Sequence, residues 1–108
     1  MAPGTRKEAG YFWVGAQGAT AIVLCESAID AISCFQQFPD RICISTAGAR
    51  ANPAWLRALI GRGYAISCGF DCDAPGETAA RAMIALHPTI DRLQPPAHDW
   101  NEALAPCR

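Results

Sequence analysis

This chain has no surplus of charge of either sign: nine Lys and Arg stand against ten Asp and Glu, a formal net charge of −1 over 108 residues. Global attraction to nucleic acid or to an anionic membrane is therefore excluded as a driving force, and any polyanion has to be held by a local site. Lysine is nearly missing, with Lys7 alone beside Arg6, Arg41, Arg50, Arg57, Arg62, Arg81, Arg92 and Arg108. Arginine suits bidentate phosphate contacts. A compositional bias of the source genome, visible also in the alanine richness, is the simpler reading. No Cys-x-x-Cys pair occurs among Cys25, Cys34, Cys43, Cys68, Cys72 and Cys107, and the two histidines are not grouped with cysteines, which argues against structural zinc. No apolar run approaches the ~20 residues of a membrane span, and the opening MAPGTRKEAG lacks the apolar core of a signal peptide. No membrane partner is expected, and a reducing cytoplasm is the expected location.

Apolar residues make up 51 % of the chain, enough for one globular domain with its own core. Residues 1–9 read as a flexible N-terminal segment, and the domain as 10–105. GYFWVG suggests a short edge strand. AIVLC (21–25) is a continuous apolar run of the kind found in a strand covered on both faces. Ser27 offers an N-cap with Asp30 as capping-box partner, and Ala28, Ala31, Ile32, Phe35 and Phe38 form one helical stripe up to Pro39. RICIS (41–45) is a second apolar strand, followed by the loop TAGAR and a helix in NPAWLRALIGRG with Asn52 as cap and Pro53 in its first turn. YAISCGF (64–70) is a third strand, leading into a helix from Pro75 to Pro88; TIDRL (89–93) suggests a fourth strand, and DWNEAL one or two closing helical turns. Strands alternating with helices predict an α/β fold, about four parallel strands in the order 2-1-3-4 with helices on both faces. The cysteines inside the strands read as small buried hydrophobes.

Ligands of open parallel sheets bind at the carboxyl ends of the strands. Glu26 directly follows the first strand of that sheet and Asp71 the third. The order 2-1-3-4 makes those two strands neighbours, roughly 4.8 Å apart, so their carboxylates can reach one cation. Asp73 adds a third oxygen donor from the turn. Mg²⁺ takes a few carboxylate oxygens plus water and substrate phosphate, and Glu26, if uncoordinated, can accept or donate a proton. Other roles stand beside these. Glu26 is also a first-turn acid, Asp73 also a helix N-cap, and Asp30 most simply the partner of Ser27. Gly48 suits either a tight turn or a close approach of backbone to nucleotide. Arg50, directly after that loop, and Arg81 can reach phosphate from the same edge, or be solvated surface. Asp99 either joins the acidic patch or caps the last helix, with Trp100 as a packing anchor. An EF-hand reading of DCDAPG fails, because Pro75 and Ala82 fall where ligands are required.

Taken together, CESAIDAIS and FDCDAPGETAARA, in this order and spacing, resemble the Toprim domain. That metal-binding module of nucleotidyl transfer and hydrolysis is shared by bacterial-type primases, type IA and II topoisomerases, OLD-family nucleases and small RNA-maturation nucleases. The resemblance implies a Rossmann-like Toprim fold over residues 10–105. It implies Glu26 as general acid/base or metal ligand, and Asp71 and Asp73 as ligands of Mg²⁺, with Mn²⁺ as a substitute. Gly48 corresponds to the family's glycine at the sheet edge, and Gly76 belongs to the second motif. ESAIDAIS, ISTAGAR and HDWNEAL look most like the Toprim segments of plasmid- and phage-type DNA primases and of relaxase-associated primase-like proteins. In that subgroup a basic-Asp-Trp-Asn phrase closes the domain, which brings in Asp99. The chain departs from the pattern at Ser27, where glycine is usual, at Pro75, where a small residue is usual, and at His98, where lysine is common.

These residues lead us to expect a primase-like Toprim catalytic domain carrying out Mg²⁺-dependent nucleotidyl transfer, with primer synthesis on single-stranded DNA. Nucleoside triphosphates and other replication or mobilisation domains or proteins are its expected partners. Two further readings are a metal-dependent nuclease of the Toprim/OLD type and a non-catalytic nucleic-acid or nucleotide-binding accessory module.

Overall fold

The run Ala21–Cys25 contains no group that seeks water, and it becomes an interior strand whose last four residues are buried. Around it the computed structural model describes residues 4–8 and 11–103. In chain order these form β1 (Gly4–Glu8), β2 (Tyr11–Gly15), β3 (Ala21–Cys25), α1 (Ala28–Gln37), β4 (Ile42–Ser45), α2 (Leu56–Gly61), β5 (Ala65–Cys68), α3 (Ala74–Leu86), β6 (Asp91–Arg92) and α4 (Trp100–Ala103). One sheet has the order β1-β2-β4-β3-β5-β6. β4, β3, β5 and β6 are parallel and stand in the order predicted for the four expected strands, so β3 and β5 are neighbours.

Two expectations are corrected. The segment Tyr11–Gly15 is not an edge strand: β1 covers one side of it and β4 the other, both antiparallel. Gly4–Glu8 lies within the stretch read as flexible; residues 1–3 and 9 of that stretch lie outside the described residues. Its sequence, GTRKE, has none of the apolar alternation that marks a strand. Nor does Asn52 cap a helix with Pro53 in its first turn. α2 starts only at Leu56, with no side-chain cap, and Asn52 Oδ1 instead meets His87 Nε2 at 3.0 Å. Burial of Leu56 and Leu59 sets that helix, not the local capping pattern.

Helices cover both faces of the sheet. On one, α2 and α3 pack Leu56, Ala80 and Met83 against Ile22, Leu24, Ile44 and Ile66. On the other, α1 and α4 pack Ala31, Cys34 and Trp100 against Val23, Cys25 and Cys43. Cys25, Cys43 and Cys68 are free thiols with no exposed surface, acting as core residues as expected. Burial pushes the Cys68 thiol up to about 11, so it stays protonated and inert. Among the described residues no helix is long and apolar enough to cross a membrane.

Candidate metal centre

Both sides of the β3 end are stitched down by backbone. Thr46 donates its N–H to Cys25 O at 2.8 Å and Gly48 its N–H to Glu26 O at 2.7 Å, while from β5 Gly69 donates to Leu24 O at 2.8 Å. Gly48 holds φ +121°, a conformation open mainly to glycine, and the turn it makes secures the Glu26 backbone. The Glu26 side chain points across to the loop after β5, where Oε2 accepts the Asp71 N–H at 2.8 Å. Burial raises the Glu26 carboxyl above its usual range; the Asp71 N–H opposes this, and Asp73 and Asp30 add to it.

Asp71 is the most perturbed group of the site. Its Oδ1 is buried and has no hydrogen-bond partner. Burial first, and then the charges of Glu26, Asp30, Asp99 and Asp73, push its pKa up to about 7. The Arg92 guanidinium reaches the same loop from β6, donating to the backbone carbonyls of Cys68 at 2.9 Å and Asp71 at 3.3 Å while pairing with the Glu77 carboxylate. Gly76 has to be glycine because a Cβ there would lie 2.2 Å from Asp71 O.

Asp73 fills the capping role its sequence allowed, and its second oxygen is taken by a histidine. Oδ1 caps α3 by accepting the Gly76 N–H at 2.8 Å, and Oδ2 lies 3.0 Å from His98 Nε2. His98 Nδ1 is 3.5 Å from Asp99 Oδ2. The bond to Asp73, helped by Asp99, holds the exposed His98 imidazole above its usual pKa. Asp99 Oδ1 in turn accepts the Glu102 N–H at 2.6 Å at the start of α4.

What fixes Asp99 is the anchoring of α4. Trp100 is 1 % exposed, its Nε1 donates to Gly69 O at 2.8 Å, and its ring stands edge-on to Phe38 at 5.7 Å. Asn101 donates its N–H to Asp30 Oδ1 at 3.1 Å, and Asp30 Oδ2 accepts from Ser27 Oγ at 3.0 Å. Asp30 is thus a clamp between the two helix ends, and it acts on the site through its charge.

Among the described residues, Asp71, His98 and Asp99 each bring one ligand-type atom within 4.8 Å of the other two. Glu26 and Asp73 stand beside this trio, the first on the Asp71 N–H and the second on the His98 ring. Arg50 is exposed just past the Gly48 turn, and Arg81 is exposed on α3 near Glu77, outside the converging groups. Arg92 as a brace and His98 as a member of the cluster were not singled out from the sequence; His98 showed only as a departure from the usual lysine. Three acids and an imidazole around a buried oxygen without a donor form a donor set suited to a divalent cation, because each like charge brought in is costly until a positive charge joins it. A cleft of about 470 Å³, walled by Glu26, Ser27, Ser45, Ala47, Tyr11 and Phe12, opens beside them and leaves space for a substrate.

A family model described as Toprim-like matches residues 23–104, from inside β3 through α4, so it contains every group of the site. No curated protein and no solved structure matches the chain.

Proposed function

Because the chain belongs to the Toprim-like family, whose domains are in general metal-binding parts of nucleic-acid enzymes, we propose that it is a catalytic domain of primase type. It would build primers on single-stranded DNA from nucleoside triphosphates, as part of a larger protein or of a replication or mobilisation assembly. The observation that carries this reading is the orphaned Oδ1 of Asp71 amid neighbouring carboxylates. Asp71, Asp99 and His98 would hold the cation, with Asp73 and Glu26 beside them as further oxygen donors. Mg²⁺, or Mn²⁺ in its place, would neutralise phosphate charge there and orient an attacking oxygen. Glu26 keeps its proton closer to neutral pH than an ordinary carboxyl, which suits Oε1 or Oε2 to taking a proton from a nucleophile and returning it to a leaving group. The Asp71 N–H holds that carboxylate in place, and Arg92 steadies the loop that carries Asp71.

The test is extension on a single-stranded DNA template with radiolabelled nucleoside triphosphates and Mg²⁺ or Mn²⁺, with Asp71→Asn as control. Products that grow with template and triphosphate, and vanish in the variant, support priming. Metal-dependent cutting of the template without triphosphates assigns the site to hydrolysis instead. Metal binding with neither reaction leaves an accessory module.

A further inference from the structure

α2 has only six residues, and β2 stands beyond β4 toward the β1 edge of the sheet. Tyr11 and Trp13, two residues apart and hence on one face of β2, are half-buried against the α2 side of the core. Tyr11 leans on Trp55 with ring centres 4.5 Å apart. Between β2 and α2 runs a groove of about 210 Å³ whose walls include Tyr11, Trp13, Tyr64 and Arg62. At one end it widens into a hollow of about 660 Å³, again bordered by Trp13, Arg62 and Tyr64. At the other end Tyr11 is also a wall of the cleft that contains Glu26. The groove and the far hollow share Trp13, Ile42, Arg62 and Tyr64, and Tyr11 is common to the groove and the Glu26 cleft.

The chemistry of these hollows differs sharply. Among the described residues that line them, groove and far hollow have no Asp or Glu, and the charged side chain there is the exposed Arg62. Flat aromatic rings spaced along a strand, with a guanidinium beside them, stack unpaired bases and hold phosphate. Paired bases cannot offer their faces to such rings. A docked protein face would use the same residue types, but would cover Tyr11 and close the mouth of the cleft. β2 lies before the segment that the Toprim-like family model covers, while Arg62 and Tyr64 lie within it.

We infer that a single-stranded nucleic acid lies along this groove, its bases against Tyr11, Trp13 and Tyr64 and a phosphate at Arg62, and so feeds the acidic cleft. This deepens the proposed function and rests on it for the nature of the substrate.

The experiment is fluorescence anisotropy of a labelled oligothymidine with the full chain in EDTA, for wild type, Trp13→Ala, Trp13→Phe, Arg62→Ala and Asp71→Asn. Mn²⁺ affinity of the Trp13 and Arg62 variants, and a cooperative thermal transition for Asp71→Asn, serve as the check on folding. Losing one stacked base predicts an affinity roughly tenfold or more lower in Trp13→Ala, largely restored in Trp13→Phe. Arg62→Ala weakens binding and reduces the slope of log affinity against log salt by about 1. Duplex of the same length binds more weakly than the single strand, and Asp71→Asn binds the oligonucleotide at least as well as wild type. Unchanged affinity in both Trp13→Ala and Arg62→Ala overturns the groove and leaves the metal chemistry standing. A wild-type dimer that Trp13→Ala converts to monomer, with oligonucleotide binding intact, also overturns it in favour of self-association. Variants that behave as expected on a chain with no metal-dependent reaction keep the groove and overturn the proposed catalysis.

Discussion

At the scale of single residues the centre is Asp71, a carboxyl raised to about 7 by burial and then by Glu26. Its sign for stability is unusual for an aspartate. The folded chain retains a proton that the unfolded chain has already lost above pH ~4, so stability declines as the pH rises from there to about 7 and the loss is complete above it. In EDTA, therefore, the Tm of wild type should drop between pH 5 and 8 more steeply than that of Asp71→Asn, with the variant ahead at pH 8 by ~4 °C. A divalent ion displaces the same proton, so wild-type Mg²⁺ affinity should climb close to tenfold per unit below about pH 7 and flatten above it, read by calorimetry. Glu26→Gln separates binding from chemistry: its amide oxygen still accepts the Asp71 N–H, so metal affinity should stay within about threefold while turnover falls on the order of 10²-fold or more. Glu26, Asp71 and Asp73 stand out in the sequence because an acid directly after an apolar strand has few structural excuses. Arg92 and His98 do not, since their partners are 15 to 25 residues away and such pairs leave no local pattern.

At the scale of elements, helix starts do the positioning. Asp73 caps α3, Ser27 caps α1, and Gly76 lets the first turn of α3 touch the Asp71 carbonyl. Gly76→Ala adds a Cβ 2.2 Å from that oxygen, so α3 or the loop has to move. We expect ~2–4 kcal/mol of lost stability in urea unfolding and weaker Mg²⁺ binding, although no ligand is removed. Trp100 is the corresponding anchor of α4: Trp100→Ala should cost ~3–5 kcal/mol and loosen Asp99, which one helix turn holds in place. The caps of α1 and α3 were legible because Ser27 and Asp73 each stand three residues before the group they bind. The start of α2 was not, because Asn52 and Pro53 mimic a cap while the deciding contacts of Leu56 and Leu59 come from strands distant in sequence.

For the molecule as a whole, the alternation of apolar runs and helical stripes was enough to place β3 beside both β4 and β5, and so to bring Glu26 and Asp71 to one edge. β2 was legible in GYFWVG, but its cover by β1 was hidden, since the sequence GTRKE has no apolar alternation to read. Together β1 and β2 widen the sheet beyond the segment matched by the family model and add the aromatic face of β2 to it. The account of the site stands or falls on convergence of acids from the ends of β3 and β5 and from the loop before α4 onto one cation. Its most direct test is Mn²⁺ titration of wild type and Asp71→Asn at pH 8, followed by electron paramagnetic resonance of the free ion. Saturable binding by wild type, weakened at least about tenfold in the variant, is the expected result. No saturable binding by wild type, or equal affinity in Asp71→Asn, would contradict it.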